Sequence, residues 1–453
     1  MTRMRTPLAL LMALAAPASL PFTATAPATA QGPVLRAMPQ ISAIDRVWSG
    51  QSSRFALAVT DTAIVVAYYD ANRQLTVASR PRTGSYWVYH KLDTWVGWDS
   101  HNYIALAIDD AGGIHVAGNM HGDPMVYYRS RIAGDVRSLD RVSVMVDAKL
   151  ERRMTYPIFL RDGDGRLVYK YRDGGSGNGN EIYNVYDSTT RTWRHLLDVP
   201  LTDGEGHRNA YFVGPVLGPD KLFHIAWVWR ESPMAETNHD LSYARSRDLV
   251  HWERSDGTPL RLPITLKSGE IVDPVPVEAG MINNNTVIGF DPAGAVMITF
   301  HKFDAAGNTQ IFVARREKQG WRIAQVSDWR GFRWDFRGGG SLESRLFVQG
   351  PVPAGKDRIR VSVTRDGKPI DFLLDAMTLT RISEQPGNLL AARLAPIIAV
   401  PPGMTLNTVE DRGASGIALA WPTRPPHRDL PSEDIPDPTI LRLVTPGPAQ
   451  PPR

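Results

Sequence analysis

An all-β fold, a seven-bladed β-propeller, is predicted by three features of the sequence. Short β-rich runs bounded by Gly, Asp, Pro and Asn dominate the 453 residues, and helical periodicity is scarce. One unit, a turn containing Asp or Gly followed by a buried strand, recurs seven times. No helical segment separates the copies, and radial repetition of such units protects the edges of their sheets. Two β-sandwiches in tandem are the alternative architecture.

The repeated unit is clearest in its second copy, where Asp110-Ala111-Gly112-Gly113 leads into Ile114-His115-Val116. Gly and Asp fit a tight turn, and the β-branched residues that follow fit a pleated strand. The seven copies begin at Asp61, Asp110, Asp162, Gly218, Asp291, Asp366 and Asp411. Each copy is therefore expected to mark one blade.

The two ends of the chain differ from the repeat. Residues 1–30 have the pattern of a signal peptide, because basic residues precede a short apolar run and Ala28-Thr29-Ala30 resembles a cleavage site. We expect residues 31–45 to be a disordered lead-in and residues 46–421 to form the propeller catalytic domain. Residues 422–453 are rich in proline and are expected to form an extension over the surface. These segments predict a secreted or periplasmic monomer that is not inserted in a membrane.

Composition narrows the functional classes. The chain has no cysteine, which excludes thiol catalysis and thiolate metal sites. Its net charge of +4 is spread without basic blocks, so nucleic-acid binding is not expected. A mild positive field suits an acidic polysaccharide substrate, although an ordinary charged surface accounts for the charge equally well.

Polar residues gather at the predicted strand ends between about residues 95 and 240. One predicted strand lies between His101-Asn102 and Asn119-Met120-His121, and the next lies between Tyr156 and Arg172. A lone Tyr before Pro more often packs than acts, but the concentration of these residues favours one site. The other residues of the group are Arg230, Asn238 and His239.

The residue types favour one kind of chemistry. Glycoside hydrolysis normally uses two paired carboxylates, and sialidases use a Tyr nucleophile with an arginine cluster. A set rich in His, Asn, Tyr and Arg suits β-elimination from a uronic acid instead. A base removes the C5 proton, a cation neutralises the sugar carboxylate, and an acid protonates the leaving O4 oxygen. Neutral His can serve as the base, Tyr as the acid and Arg as the carboxylate ligand.

These motifs resemble the BNR-type (BNR-4 repeat) propeller family that includes ulvan lyases and rhamnose–glucuronate lyases. The resemblance covers roughly residues 68–340 and weakens towards the C-terminus. It implies that His101 and Tyr156 are base and acid, that Arg172 neutralises the carboxylate and that His121 assists. The motifs that carry it are Trp98-x-x-His101-Asn102, Asn119-Met120-His121, Thr155-Tyr156-Pro157, Tyr171-Arg172-Asp173-Gly174, Trp229-Arg230-Glu231 and Thr237-Asn238-His239-Asp240.

The predicted function is a polysaccharide lyase acting at a rhamnose–glucuronate (ulvan-like) linkage. We expect the four catalytic residues to converge on one cleft at one face of the ring. Tyr156 can also perform both proton transfers when proton and leaving group lie on the same side of the sugar ring, so the identity of the base stays open. The predicted substrate-binding residues are Asn102, Asn119, Arg230, Asn238 and His239.

Two other functions remain compatible with the pattern, a sialidase-type glycoside hydrolase and a non-catalytic glycan-binding propeller. No cofactor is predicted. No metal is predicted either, because the spacing of His207, His239 and Asp240 is not diagnostic.

Overall fold

The structure, a computed structural model, describes residues 38–411, 413 and 415–447. The predicted signal peptide and residues 31–37 of the predicted lead-in lie outside the described residues. Strands dominate the described part, which contains 30 strands and one short α-helix. The predicted all-β class is therefore confirmed. No helix in this part is long and apolar enough to cross a membrane.

The first two sheets after strand β1 (Gln40–Val47) are four-stranded and antiparallel. The first consists of β2 (Ala56–Val59), β3 (Ala63–Tyr69), β4 (Gln74–Pro81) and β5 (Val88–Trp95). The second comprises β6 (Ile104–Ile108), β7 (Ile114–Gly118), β9 (Tyr127–Ser130) and β10 (Leu139–Arg141). The short strand β8 (His121–Asp123) leaves this sheet and pairs with the next one, which brings His121 beside β11 (Met154–Arg161).

A ten-stranded sheet follows, built from two antiparallel groups. The first group contains β8, β11, β12 (Leu167–Gly175), β13 (Asn178–Asp187) and β14 (Thr192–His195). The second contains β15 (Asn209–Leu217), β16 (Phe223–Arg230), β17 (Asn238–Ser246), β18 (Trp252–Glu253) and β19 (Glu270–Asp273). A single parallel pairing of Gly179 with Asn209 joins the two groups.

Two further four-stranded antiparallel sheets precede the C-terminal one. The first consists of β20 (Val287–Phe290), β21 (Val296–Phe303), β22 (Thr309–Glu317) and β23 (Gly320–Gln325). The second consists of β24 (Leu346–Pro353), β25 (Arg358–Arg365), β26 (Lys368–Asp375) and β27 (Arg381–Pro386), and α1 (Leu390–Leu394) follows it.

The last sheet combines the two ends of the described chain. Its strands are ordered β1, β30 (Thr439–Thr445), β29 (Ala418–Thr423) and β28 (Thr405–Glu410). The structure therefore differs from the expected domain bounds, because β1 begins before residue 46 and β30 lies within the predicted extension. Prolines flank β30 in the sequence, but inside it Leu441, Leu443 and Val444 are buried. This burial explains why the segment joins a sheet despite its proline-rich setting.

Carboxylates fix the turns between the first and second strands of several sheets. Asp109 Oδ1 accepts hydrogen bonds from the backbone N–H groups of Ala111 (2.9 Å) and Gly113 (2.7 Å). Asp291 does the same for Ala293 (2.9 Å) and Ala295 (2.8 Å). The repeated sequence unit thus corresponds to an Asx-type turn, and in the second copy its capping residue is Asp109, one position before the predicted start.

Two such turns extend into an Asp–His–Tyr chain whose histidine and tyrosine are buried. His115 contacts Asp109 Oδ2 through Nε2 (3.0 Å) and the Tyr127 hydroxyl through Nδ1 (2.7 Å). The same pattern recurs at His224, with distances of 3.0 Å to Asp220 and 2.7 Å to the hydroxyl of Tyr243. Burial lowers the pKa of His115 more than the hydrogen bond to Asp109 raises it, so the ring is neutral in the folded protein.

We expect His115→Gln to lower the free energy of unfolding by ~1–3 kcal/mol at neutral pH, because a buried hydrogen-bond chain is broken. The variant should also have a flatter pH profile. Since the folded pKa of His115 lies below the unfolded value of about 6.5, the unfolded chain binds the proton, and stability falls as pH drops below that value. Denaturant unfolding between about pH 7 and about pH 5 measures this loss. His251→Gln, at an exposed histidine, is the control, and equal slopes for wild type and His115→Gln would contradict the prediction.

Candidate active site

The structure brings the four predicted catalytic residues together. The imidazole rings of His101 and His121 stack with their centroids 4.2 Å apart. The Tyr156 ring lies 6.2 Å from His101 and 6.3 Å from His121, measured between centroids. The Arg172 guanidinium carbon lies 5.0 Å from the centre of the Tyr156 ring. Four elements supply this group, namely the loop from β5 to β6, the start of β8, the start of β11 and the end of β12.

Tyr156 occupies an unusual backbone conformation. Its φ is 58°, in the left-handed region, and the pairing of β11 with β12 is irregular between Thr155 and Ile158. A bulky residue rarely adopts this conformation, and such strain clusters at functional sites. Burial raises the pKa of the Tyr156 phenol, Tyr211 adds to the effect and Arg172 opposes it. Tyr156 is therefore a neutral phenol that can donate a proton.

Arg172 is a buried cation without a carboxylate partner among the described residues. Its side chain donates from Nη2 to Thr155 Oγ1 (2.9 Å) and from Nη1 to the hydroxyl of Tyr211 (3.4 Å). No Asp or Glu of the described residues lies within 4.0 Å of its guanidinium, and Nε has no partner there. Because a buried charge without a counter-ion is costly, the geometry favours an anionic ligand at this position.

Asp99 holds both histidines. Its Oδ1 lies 2.9 Å from His101 Nδ1, and its Oδ2 lies 2.5 Å from His121 Nδ1. Neither Nε2 atom has a hydrogen-bond partner among the residues that the structure describes. Burial would lower the pKa of His101, but the nearby carboxylate of Asp429 and the hydrogen-bonded carboxylate of Asp99 raise it to about 9. Burial raises the pKa of Asp99, but hydrogen bonds from the two histidines outweigh it and hold that pKa well below its usual range.

The same three residues have donor atoms that could surround a cation. Potential ligand atoms of Asp99, His101 and His121 all lie within 4.8 Å of one another. Two imidazoles and a carboxylate form a donor set that Zn²⁺ accepts. The Nδ1–O distances of 2.5 and 2.9 Å are those of direct hydrogen bonds among the three residues.

Two predicted substrate-binding residues flank the histidines. Asn102 is buried, and its Oδ1 has no partner within the described segments. The Asn119 side chain donates to Thr94 Oγ1 (2.7 Å) and to the backbone oxygen of Trp95 (3.0 Å). The amide of Asn119 is thus engaged with the end of β5.

The other three predicted substrate-binding residues form a neighbouring cluster. Arg230 Nη1 and Asn238 Nδ2 both donate a hydrogen bond to Asn283 Oδ1, and each bond is 3.1 Å long. His239 contacts Glu231 through Nε2 (2.9 Å) and Asp240 through Nδ1 (3.0 Å). These contacts hold the loop from β16 to β17 in place. The groups are therefore committed to other protein atoms in this structure.

Tyr211 links the two clusters and was missed by the sequence interpretation. Its ring lies 6.0 Å from that of Tyr156, and Arg230 lies 5.5 Å from its centre. Its hydroxyl is 2.7 Å from Ser176 Oγ. Burial raises the pKa of Tyr211, but Arg172 and Arg230 outweigh it and bring the pKa below its ordinary value. No motif in the sequence marks Tyr211, since it is one aromatic residue within an otherwise ordinary strand.

A cavity of about 440 Å³ opens beside this group. Its walls include residues of β2, β6, β11 and β15. Tyr103, Tyr156, Arg172 and Tyr211 line it, whereas the two histidines do not. Tyr156 thus lies between the cavity and the histidine pair.

Comparison with known sequences gives a family and several relatives. The profile of the BNR repeat-containing family matches residues 64–329, more than half of the chain. The short isoform of ulvan lyase from Alteromonas sp. (strain LOR) is 26% identical over 26% of this chain and 30% of its own length. The long isoform from Pseudoalteromonas sp. (strain PLSV) is 29% identical over 22% of this chain and 14% of its own length. The chain thus aligns with less than a third of each of these curated relatives.

Similar solved structures extend the fold comparison. A PL25 ulvan lyase has a TM-score of 0.60 at 13% identity, with 88% of this chain and 94% of that chain covered. A PL25 ulvan lyase bound to -[GlcA(1-4)Rha3S]- has a TM-score of 0.59 at 12% identity, with the same coverage. The crystal structure of another polysaccharide lyase gives 0.59 at 14% identity, covering 87% and 90% of the two chains. At these identities the likeness shows the fold.

Proposed function

The chain belongs to the BNR repeat-containing family, and on that premise we propose that it is a secreted polysaccharide lyase. Its substrate is a uronate-containing polysaccharide, cleaved by β-elimination at a rhamnose–glucuronate (ulvan-like) linkage. The names of the curated relatives and the ligand of the similar solved structure support this choice. The basic, apolar and A-x-A pattern of residues 1–30 supports export.

We also propose that the sheets form seven blades around a central channel. Counting the ten-stranded sheet as two antiparallel groups gives seven units of four or five strands. First strands of neighbouring units contact each other at β2–β6, β6–β11, β15–β20, β20–β24 and β2–β28. The pairing of β1 with β30 would then close the ring between its first and last blades.

Arg172 is the observation that carries the lyase proposal. It is a buried guanidinium, without a carboxylate partner in the described chain, beside a strained and neutral Tyr156. A uronate carboxylate would supply the missing negative charge, with His121 assisting Arg172. Neutralising that carboxylate makes the C5 proton more acidic, which is the first requirement of β-elimination.

The geometry favours His101 as the base and Tyr156 as the acid. Asp99 holds His101 through Nδ1 and leaves Nε2 free to accept the C5 proton, as in other carboxylate-oriented imidazoles. The electrons of the C5–H bond form the C4–C5 double bond, and the bond from C4 to O4 breaks. Tyr156 donates its proton to the departing O4 oxygen. The raised pKa of Tyr156 keeps it protonated at the pH where His101 becomes neutral.

The predicted substrate-binding residues would act in two ways, either from a buried position beside the histidines or by holding the walls of the cleft in place. Asn102 would support the site from its buried position beside the histidines, where its Oδ1 has no partner among the described residues. Asn119, Arg230, Asn238 and His239 would shape the cleft through the internal hydrogen bonds that already hold them.

A screen of uronate-containing polysaccharides read by ultraviolet absorbance tests the function. The unsaturated uronate formed by elimination should absorb, and this signal is the expected result. New reducing ends without absorbance would instead indicate a sialidase-type hydrolase. Binding without any turnover would indicate a glycan-binding propeller.

We expect His101→Gln to lower kcat/KM by about 10²-fold, because the variant lacks the proposed base. The ultraviolet assay on the confirmed polysaccharide measures this effect, with His251→Gln as the control. A loss of less than about tenfold, below the usual contribution of a general base, would move proton abstraction to Tyr156.

A further inference from the structure

The segment from residue 424 to 438, between β29 and β30, is anchored at both ends to one loop. Near its start, the Arg424 N–H donates to the backbone oxygen of Ser49 (2.8 Å). Near its end, the Ser49 hydroxyl donates to the backbone oxygen of Asp437 (2.7 Å). The middle of the segment therefore has a defined position, although the sequence pattern places it outside the catalytic domain.

Asp429 lies in the middle of this segment and connects the loop that contains Ser100 with the loop that contains Ser341. Its carboxylate accepts hydrogen bonds from Ser341 N–H (2.8 Å), Ser341 Oγ (2.5 Å) and Ser100 N–H (3.2 Å). Its Oδ2 lies 3.6 Å from His101 Nδ1. Asp99 contacts the same nitrogen. Arg428 and Asp429 are both left-handed, with φ values of 50° and 61°. These two successive left-handed residues place the carboxylate beside His101.

We propose that Asp429 is a positioning residue that, together with Asp99, orients His101 and strengthens it as a base. The inference rests on the proposed lyase function. Two carboxylates near one nitrogen keep a proton on Nδ1 and stabilise the imidazolium that forms when Nε2 takes the C5 proton. The charged or titratable groups facing His101 are Asp99, Asp429, the stacked His121 and Tyr156. The Asp429 carboxylate, 3.6 Å from Nδ1, raises the pKa of His101 together with Asp99.

The pH dependence of kcat/KM tests this role in the full-length protein. In the wild type the rate should rise with pH and level off near the His101 pKa of about 9. In Asp429→Asn the rising limb should move down by about one pH unit or more, because an opposite charge is lost while Asp99 remains. Activity at neutral pH, relative to the plateau, should therefore rise about tenfold. A uniform rate loss with an unshifted limb would overturn the proposal.

Two further variants separate positioning from folding. Asp434→Asn removes a carboxylate of the same segment that pairs with Arg424, and it should leave the limb in place. Ser341→Ala removes the hydroxyl that fixes Asp429 and should shift the limb in the same direction, by less. If Asp429→Asn fails to fold, Ser341→Ala carries the test, and an unshifted limb in that variant overturns the proposal.

An NMR titration of the His101 imidazole, assigned by its absence in His101→Gln, provides a readout that needs no turnover. A lower His101 pKa in Asp429→Asn supports the positioning role even if no polysaccharide is cleaved. In that case the lyase proposal fails and the positioning of His101 by Asp429 stands. An equal pKa in wild type and Asp429→Asn overturns the positioning role whatever the substrate.

Discussion

Tyr156→Phe should lower turnover on a confirmed uronate polysaccharide by about 10²–10⁴-fold, the usual contribution of a general acid. The substitution keeps the ring that packs near His101, His121 and Arg172 and removes only the proton donor. Phe carries the same backbone strain at φ 58° as Tyr, so the free energy of unfolding should change little. Initial rates by ultraviolet absorbance and thermal melting measure the two effects.

Tyr171→Phe is the matched control for Tyr156→Phe. Tyr171 lies next to Arg172 in β12, is fully buried, and has a hydroxyl without a partner among the described atoms. It belongs to the hydrophobic core and not to the candidate active site, so its variant should keep near-normal turnover. Near-normal turnover of Tyr156→Phe would contradict both schemes of proton transfer.

Arg172→Ala is expected to lower kcat by about 10²–10³-fold, because the sugar carboxylate loses its preorganised cation. Substrate binding should weaken as well, so KM should rise. Arg172→Lys keeps the charge but loses the planar fork, and it should fall between wild type and Arg172→Ala. Separate measurement of kcat and KM distinguishes transition-state stabilisation from simple binding.

Arg161→Ala is the charge-matched control for Arg172→Ala. Arg161 is the last residue of β11. It lines the same cavity as Arg172 and pairs with Asp110. Its loss changes the net charge equally and should leave kcat nearly unchanged. A folded Arg172→Ala protein with kcat within tenfold of wild type would contradict the assigned role of Arg172.

Local patterns account for the part of the molecule that the sequence predicts. Short β-rich runs and Asp-containing turns predict the all-β class. These features can be predicted because the Asp109 and Asp291 turns depend only on residues a few positions away in the sequence. The histidine, tyrosine and arginine motifs also stand close to strand ends in the sequence. This placement, together with the family resemblance of the motifs, groups His101, His121, Tyr156 and Arg172 into one predicted site.

Contacts between distant segments account for the rest. Ser341 and Asp429 reach His101 from 240 and more than 300 positions away, and no local pattern announces them. The proline content around β30 also hides a strand whose buried residues are apolar. Tertiary pairing with β1 and β29 decides the conformation of that segment.

The pairing of β1 with β30 has a consequence for biosynthesis. Gln40 pairs with Thr445, so this sheet cannot be completed until nearly all of the described chain has been synthesised. Such distant pairings are slow to form, so this sheet stays incomplete until its last strand has been made. A truncation before Thr439 would leave the edges of β1 and β29 exposed, and exposed edges promote aggregation.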